Sequence, residues 1–130
     1  KFYNACGGRN FDWDLIEDLS KIFETSRLST LIRFLNVIKH EVFILGSENS
    51  IVKWFITSDD FPKMKHKFKR GDNLPHSALA NKHKSGISTI IDTDPNDWFI
   101  TWGGKSDRDM YEQCYFADAY NQVITLLWFL

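Results

Sequence analysis

Toward the N-terminus, apolar residues recur at helical spacing. Phe11, Leu15, Leu19, Ile22 and Phe23 make one amphipathic stripe, and Leu28, Leu31, Ile32, Leu35 and Ile38 make a second. Asp12, Asp14, Glu17 and Asp18 crowd the start of the first stripe, where unpaired amides and the helix dipole favour negative charge. Thr25 and Ser26 interrupt the pattern, with Ser26 placed to cap the second stripe. Two N-terminal helices, or one broken helix, are predicted.

The period changes at Val42. Val42, Phe43, Ile44 and Leu45 form a continuous apolar run, residues 46–50 carry turn chemistry, and residues 51–57 are again β-branched and aromatic, which reads as a hairpin. Residues 87–91, the polar stretch 92–97 and residues 98–102 repeat that grammar and predict a second hairpin. Between Ser106 and Tyr120, the near-helical spacing of Met110, Cys114, Ala117 and Asn121 predicts a further helix. Residues 123–130 favour a buried strand over a continuation of that helix, because Val, Ile, Thr, Trp and Phe dominate them. Residues 71–86 show no clear period. The expected architecture is α+β: two N-terminal helices, an antiparallel or mixed sheet of about four to five strands built from hairpins, and a helix in the C-terminal half packed on the sheet. Residues 1–130 are expected to form a single globular domain.

Composition supports a packed core: 43% of residues are hydrophobic and 15% aromatic, so large rings are expected to dominate it. No apolar run reaches the roughly 18 residues of a spanning helix, and no membrane association is expected. The first residues show no secretory pattern, and two cysteines, Cys6 and Cys114, are too few for a disulfide framework; a cytoplasmic, reduced setting is the expectation. A single bridge between the two is the alternative.

Charge changes the picture most. The net charge is −1, yet residues 63–84 carry seven Lys/Arg against one acidic residue, while residues 85–130 carry two against seven. Within the basic block, lysines at 63, 65, 67 and 69 alternate with Met64, His66 and Phe68, a period of two that would set the ammonium groups on one face of a strand and the apolar groups on the other. Arg70, Lys82 and Lys84 extend the block. Such a ribbon is a solvated edge strand guarded against aggregation, a docking surface for an acidic protein, or a phosphate-tracking surface; a helical conformation of the segment is the remaining alternative.

Catalytic signatures are sparse. Gly104-Lys105-Ser106 resembles the end of a phosphate-binding loop, but the position of its first glycine is taken by Phe99, and a strand-to-helix turn capped by Ser106 explains the residues. The stretch Asp92, Asp94, Asp97 lacks the central glycine and terminal glutamate of a calcium loop. His40, His66, His76 and His83 have no metal-ligand spacing, so neither a metal nor a cofactor is expected. The leading expectation is a small non-catalytic interaction protein, an inhibitor or immunity-type factor that docks a protein partner through complementary charge, with Lys63, Lys65, Lys67, Lys69, Arg70, Lys82 and Lys84 as binding residues. The alternatives are a nucleic-acid binder using the same cations, with Trp54, Phe55 and Phe61 as stacking rings, and a metal-independent ribonuclease with His76 and His83 as acid and base.

Overall fold

A computed structural model describes residues 29–31, 33, 41–83, 85–100, 109–117 and 121–129. Residues 29–31 and 33 are helical, with Thr30 and Leu31 fully buried; the rest of the predicted N-terminal helices, Cys6, and the glycine turn at 103–104 lie outside the described residues. The strands are β1 (Val42–Glu48), β2 (Ile51–Thr57), β3 (Lys65–His66), β4 (Ile91–Thr93), β5 (Phe99–Ile100), β6 (Met110–Ala117) and β7 (Gln122–Phe129). Five of them form an antiparallel sheet in the order β2-β1-β7-β6-β4, and β3 pairs with β5 in a small second sheet. The fold is therefore α+β around an antiparallel sheet. No helix among the described residues is long and apolar enough to cross a membrane.

The first hairpin forms, but Gly46, Ser47 and Glu48, read as turn, belong to β1, and the turn narrows to Asn49 and Ser50 with φ of 52° and 64°. Two left-handed residues give the turn a twist that matches its strands, which two right-handed ones would splay. Within it, Gly46 faces Trp54 across the ladder, and a β-carbon at 46 would collide with the indole ring. Glycine is thus required here by close approach. The indole is held in place by its own bond, Nε1–H donating to Gln122 Oε1 at 2.9 Å. Residues 122–129 are the strand that their β-branched and aromatic content favours.

Two expectations are corrected. Met110–Ala117 is strand β6, not a helix packed on the sheet, and Asp109 before it is not helical. A spacing of four, Met110 to Cys114, fits a strand face as well as a helix face, because four is a multiple of two. No residue of β6 is exposed, five being buried and Tyr111, Tyr115 and Phe116 half-buried, so no polar alternation marks the period, and pairing with β7 over its whole length outweighs the local pattern. The second hairpin does not form either: β4 pairs with β6, and β5 pairs with β3. Asp94 and Pro95, read as turn residues, instead start a single helical turn, α1 (Pro95–Trp98); the Asp94 carboxylate accepts from the Asn96 amide and Pro95 takes the first position, where no donor is needed. That turn carries the chain off the large sheet onto the basic segment.

The core centres on Phe43, which is fully buried and whose ring lies 5.2–5.8 Å from those of Phe55, Phe61, Phe68 and Phe99 and 5.3 Å from the imidazole of His66. Most of these contacts are edge-on or tilted, the arrangement that ring quadrupoles prefer. Strands β1 and β7 are buried on both faces, which explains why they read as continuous apolar runs instead of alternating ones.

Candidate functional site

The basic segment has the two-faced geometry its alternation predicts. Lys63, Lys65, Lys67 and Lys69 are exposed, whereas Met64 and His66 are half-buried and Phe68 is buried. Three inward side chains fasten the segment to the core. His66 sits 4.8 Å from Phe55, and Phe68 packs edge-on against Phe43 and Trp98. Backbone bonds fix the other side: β3 pairs Lys65 with Ile100 and His66 with Phe99, and the Lys67 amide donates to the Trp98 carbonyl at 2.9 Å. A turn then closes the ridge, with the Lys69 amide donating to the Asp72 carboxylate at 3.0 Å. Burial lowers the pKa of His66, so at neutral pH the imidazole is uncharged among the rings and all positive charge lies outside.

None of Lys63, Lys65, Lys67, Lys69, Arg70 or Lys82 makes an ion pair among the described residues, and Lys84 lies outside them. Two carboxylates of the segment before β5 are engaged elsewhere. Asp94 caps α1, and Asp97 accepts from the Ser77 hydroxyl at 2.8 Å. A second feature of the ridge is apolar: Ile100, directly across from Lys65, is 51% exposed. Beside the ridge lies an open hollow of about 410 Å³ bordered by Thr57, Phe61, Lys63, Met64 and His66.

The other residues singled out by sequence fall apart spatially in role. Phe61 is buried, Phe55 stacks on Phe43, and Trp54 is committed to Gln122, so these rings belong to the core and its margin. His76 is exposed and follows Pro75; His83 is half-buried, with Nε2 2.7 Å from the Gly86 carbonyl. They flank the 3-10 turn Leu79–Asn81, and no hydrogen bond or ring contact joins them among the described residues. Nor, among those residues, do three or more His, Cys, Asp or Glu converge as a metal site.

Sequence reasoning missed Glu112. It is fully buried in β6, with Oε2 accepting from the Leu79 amide at 2.8 Å and Oε1 lacking a hydrogen-bond partner among the described residues. Burial pushes its pKa up to about 7; the Leu79 bond and the nearby Thr93 hydroxyl oppose the rise and the charge of Asp97 adds to it. The signal in the sequence is a lone acid within Met-Tyr-Glu-Gln-Cys-Tyr-Phe, a run otherwise free of charge. Cys114, on the same strand face, is a free thiol 3.3 Å from the Thr125 hydroxyl, and burial raises its pKa to about 12. A thiol so protonated is a small core residue and a poor nucleophile.

No protein-family model matches this chain, and none of the curated proteins matches it significantly.

Proposed function

We propose that the chain is a non-catalytic interaction protein, of inhibitor or immunity type, that docks an acidic protein partner through the ridge at 63–70. One observation carries this reading: a row of exposed cations without internal ion pairs is mounted on a backing of packed rings, so the charges are pre-organised and unspent. Exposed Ile100 among the lysines and the adjacent hollow supply what a protein interface adds to charge, an apolar contact and a recess for an anchor side chain. The acidic turn at Asp92, Asp94 and Asp97 leads directly into β5 beside the ridge, which makes the surface dipolar and orients a partner as well as attracting it.

A nucleic-acid partner is less well served. Phosphate tracking needs only the cations, but sequence-tolerant binding of single strands also uses exposed rings as stacking platforms. Phe55 and Phe61 are turned into the core.

Tryptophan-fluorescence titration with polyglutamate, single-stranded RNA and duplex DNA, at low and near-physiological salt, separates the two. The expected result is salt-sensitive binding of polyglutamate that is abolished in the Lys65→Glu/Lys67→Glu variant, with nucleic acids bound no more tightly. Tighter binding of RNA or DNA that persists near physiological salt and is lost in that variant would overturn the protein-docking reading in favour of a nucleic-acid surface.

A further inference from the structure

At the other end of β1 from the ridge, the β1–β2 turn and the start of β7 meet the 3-10 turn around a cavity of about 370 Å³, within the range of small-molecule sites. Its lining includes Ser47, Glu48, Asn81, His83, Asn121 and the ring of Phe116. Three non-glycine residues with left-handed φ, Asn49, Ser50 and Asn121, form two of its walls. Such backbone is sparsely populated, and it persists where surrounding structure holds it.

Counting hydrogen-bond valences defines what the cavity has left to offer. The Asn81 amide nitrogen donates to the carbonyls of Pro75 and His76, at 2.9 and 3.4 Å, which leaves its oxygen. His83 Nε2 lies 2.7 Å from the Gly86 carbonyl; a carbonyl only accepts, so Nε2 carries the proton and Nδ1 of the neutral ring is an acceptor. Asn121 donates to Glu48 Oε1 at 3.3 Å, leaving Oε2 unused among the described residues. Ser47, 1% exposed, donates to the Val123 carbonyl at 3.4 Å, which leaves its lone pairs. Asn81, His83 and Ser47 have thus spent donors on the protein itself and keep acceptors, and Glu48 keeps a carboxylate oxygen. Glu48 is the one residue of the lining that is charged when His83 is neutral, and Phe116 supplies a π-system, the apolar surface most tolerant of a cation.

We propose that this cavity binds a small organic cation, a ligand presenting an ammonium or guanidinium group. Such a ligand matches the cavity in every respect counted: it brings only donors, and its charge is opposite to that of Glu48. An anion would meet the Glu48 carboxylate, against which the remaining donors of the lining, on Asn49, Ser50 and Asn121, are uncharged, and a neutral polyol would gain no charge assistance.

The test is an NMR titration of the full chain with agmatine, which carries both groups, and with ribose as the neutral comparison. Wild type, Glu48→Gln and Asn49→Asp are compared. Glu48→Gln keeps an oxygen for the Asn121 bond while removing the charge. Asn49→Asp adds a charge at the rim in a residue type that accepts left-handed backbone. The expected result is saturable agmatine shifts confined to the side-chain amides of Asn81 and Asn121 and to neighbouring backbone, with affinity about tenfold weaker in Glu48→Gln and severalfold tighter in Asn49→Asp. Equal affinity in all three proteins, ribose binding as tight as agmatine, or no saturable shifts would each overturn the proposal. Should Glu48→Gln fail to fold, the comparison of Asn49→Asp with wild type decides alone.

Discussion

Two segments of this protein, the ridge around the short strand β3 and the long strand β6, handle charge in opposite ways. Along the ridge, residues 63–69 send each cation to water and each apolar side chain to the core. Along β6, the single acid, Glu112, points inward and is fully buried. The same period-two geometry produces both. What differs is the surroundings: the ridge covers one margin of the core and has a free outer face, whereas β6 lies inside the sheet between β7 and β4. A charge on the ridge costs almost nothing and remains available to a partner. A carboxylate inside β6 is desolvated, so it stays protonated to higher pH or loses stability on ionising. The ridge is accordingly the place to look for recognition, and Glu112 the place to look for sensitivity of the fold to pH.

The largest effect is expected from detaching the ridge from its backing. Phe68 is 7% exposed and touches the rings of Phe43, Phe55, His66, Trp98 and Phe99. Truncation in Phe68→Ala removes a buried ring and leaves a void that the other rings fill only in part, costing about 3–5 kcal/mol of unfolding free energy. Chemical denaturation measures this. A loss below about 1 kcal/mol would show that the ridge does not depend on the aromatic cluster, and with it the idea of a pre-organised surface would go.

How much of this contrast is legible beforehand depends on whether one face of a segment meets water. Residues 63–69 alternate because one face is solvated, so their geometry can be read from the letters alone. The first hairpin is legible for another reason: turn chemistry at 46–50 separates two β-rich runs, although only Asn49 and Ser50 make the turn and 46–48 extend β1. For β6, burial of both faces erases the alternation, and a chance spacing of four between Met110 and Cys114 suggests a helix. Asp94, Pro95 and Asn96 mislead differently, since residues that favour a hairpin turn also favour the start of a helix, and the partner of the next strand lies some thirty positions earlier, in β3. The acceptor-rich cavity is not legible at all. Glu48, Asn81 and Asn121 come together only through the pairing of β1 with β7 and the placement of the 3-10 turn.

Glu112 gives the next largest effect. Its pKa is raised from an ordinary 4.5 to about 7, so between those values the folded protein holds a proton that the unfolded chain has released. Stability from this group is therefore full below pH 4.5, declines as pH rises, and is lost above about 7; the total is about 3 kcal/mol. Glu112→Gln keeps an oxygen for the Leu79 amide and cannot ionise. Relative to wild type it is expected to be more stable by about 2–3 kcal/mol at pH 8, with the difference vanishing near pH 4.5. Unfolding curves of the two proteins across this range are the measurement. Parallel pH profiles would show that Glu112 ionises without cost, and the contrast between the two segments would lose its inner half.

The smallest effect tests the outer half. Side chains two residues apart on an extended segment have backbones about 6.6 Å apart, and two like charges at that distance in water repel by about 0.6 kcal/mol. Lys67, at a bend just after β3, has Lys65 and Lys69 two positions away on either side and no acidic partner among the described residues. Removing its charge should therefore relieve repulsion: Lys67→Gln is expected to stabilise the fold by a few tenths of a kcal/mol, and by at most about 1, at low salt. The gain should shrink as salt approaches 0.15 M, where the screening length falls to about 8 Å, comparable to the spacing. Thermal unfolding at two salt concentrations measures both. A destabilisation above about 0.5 kcal/mol would mean that Lys67 has a partner within the chain, and the ridge would then be a structural ion-pair surface. The expected slight gain instead marks charges held together against their own repulsion, which an acidic partner would relieve on binding.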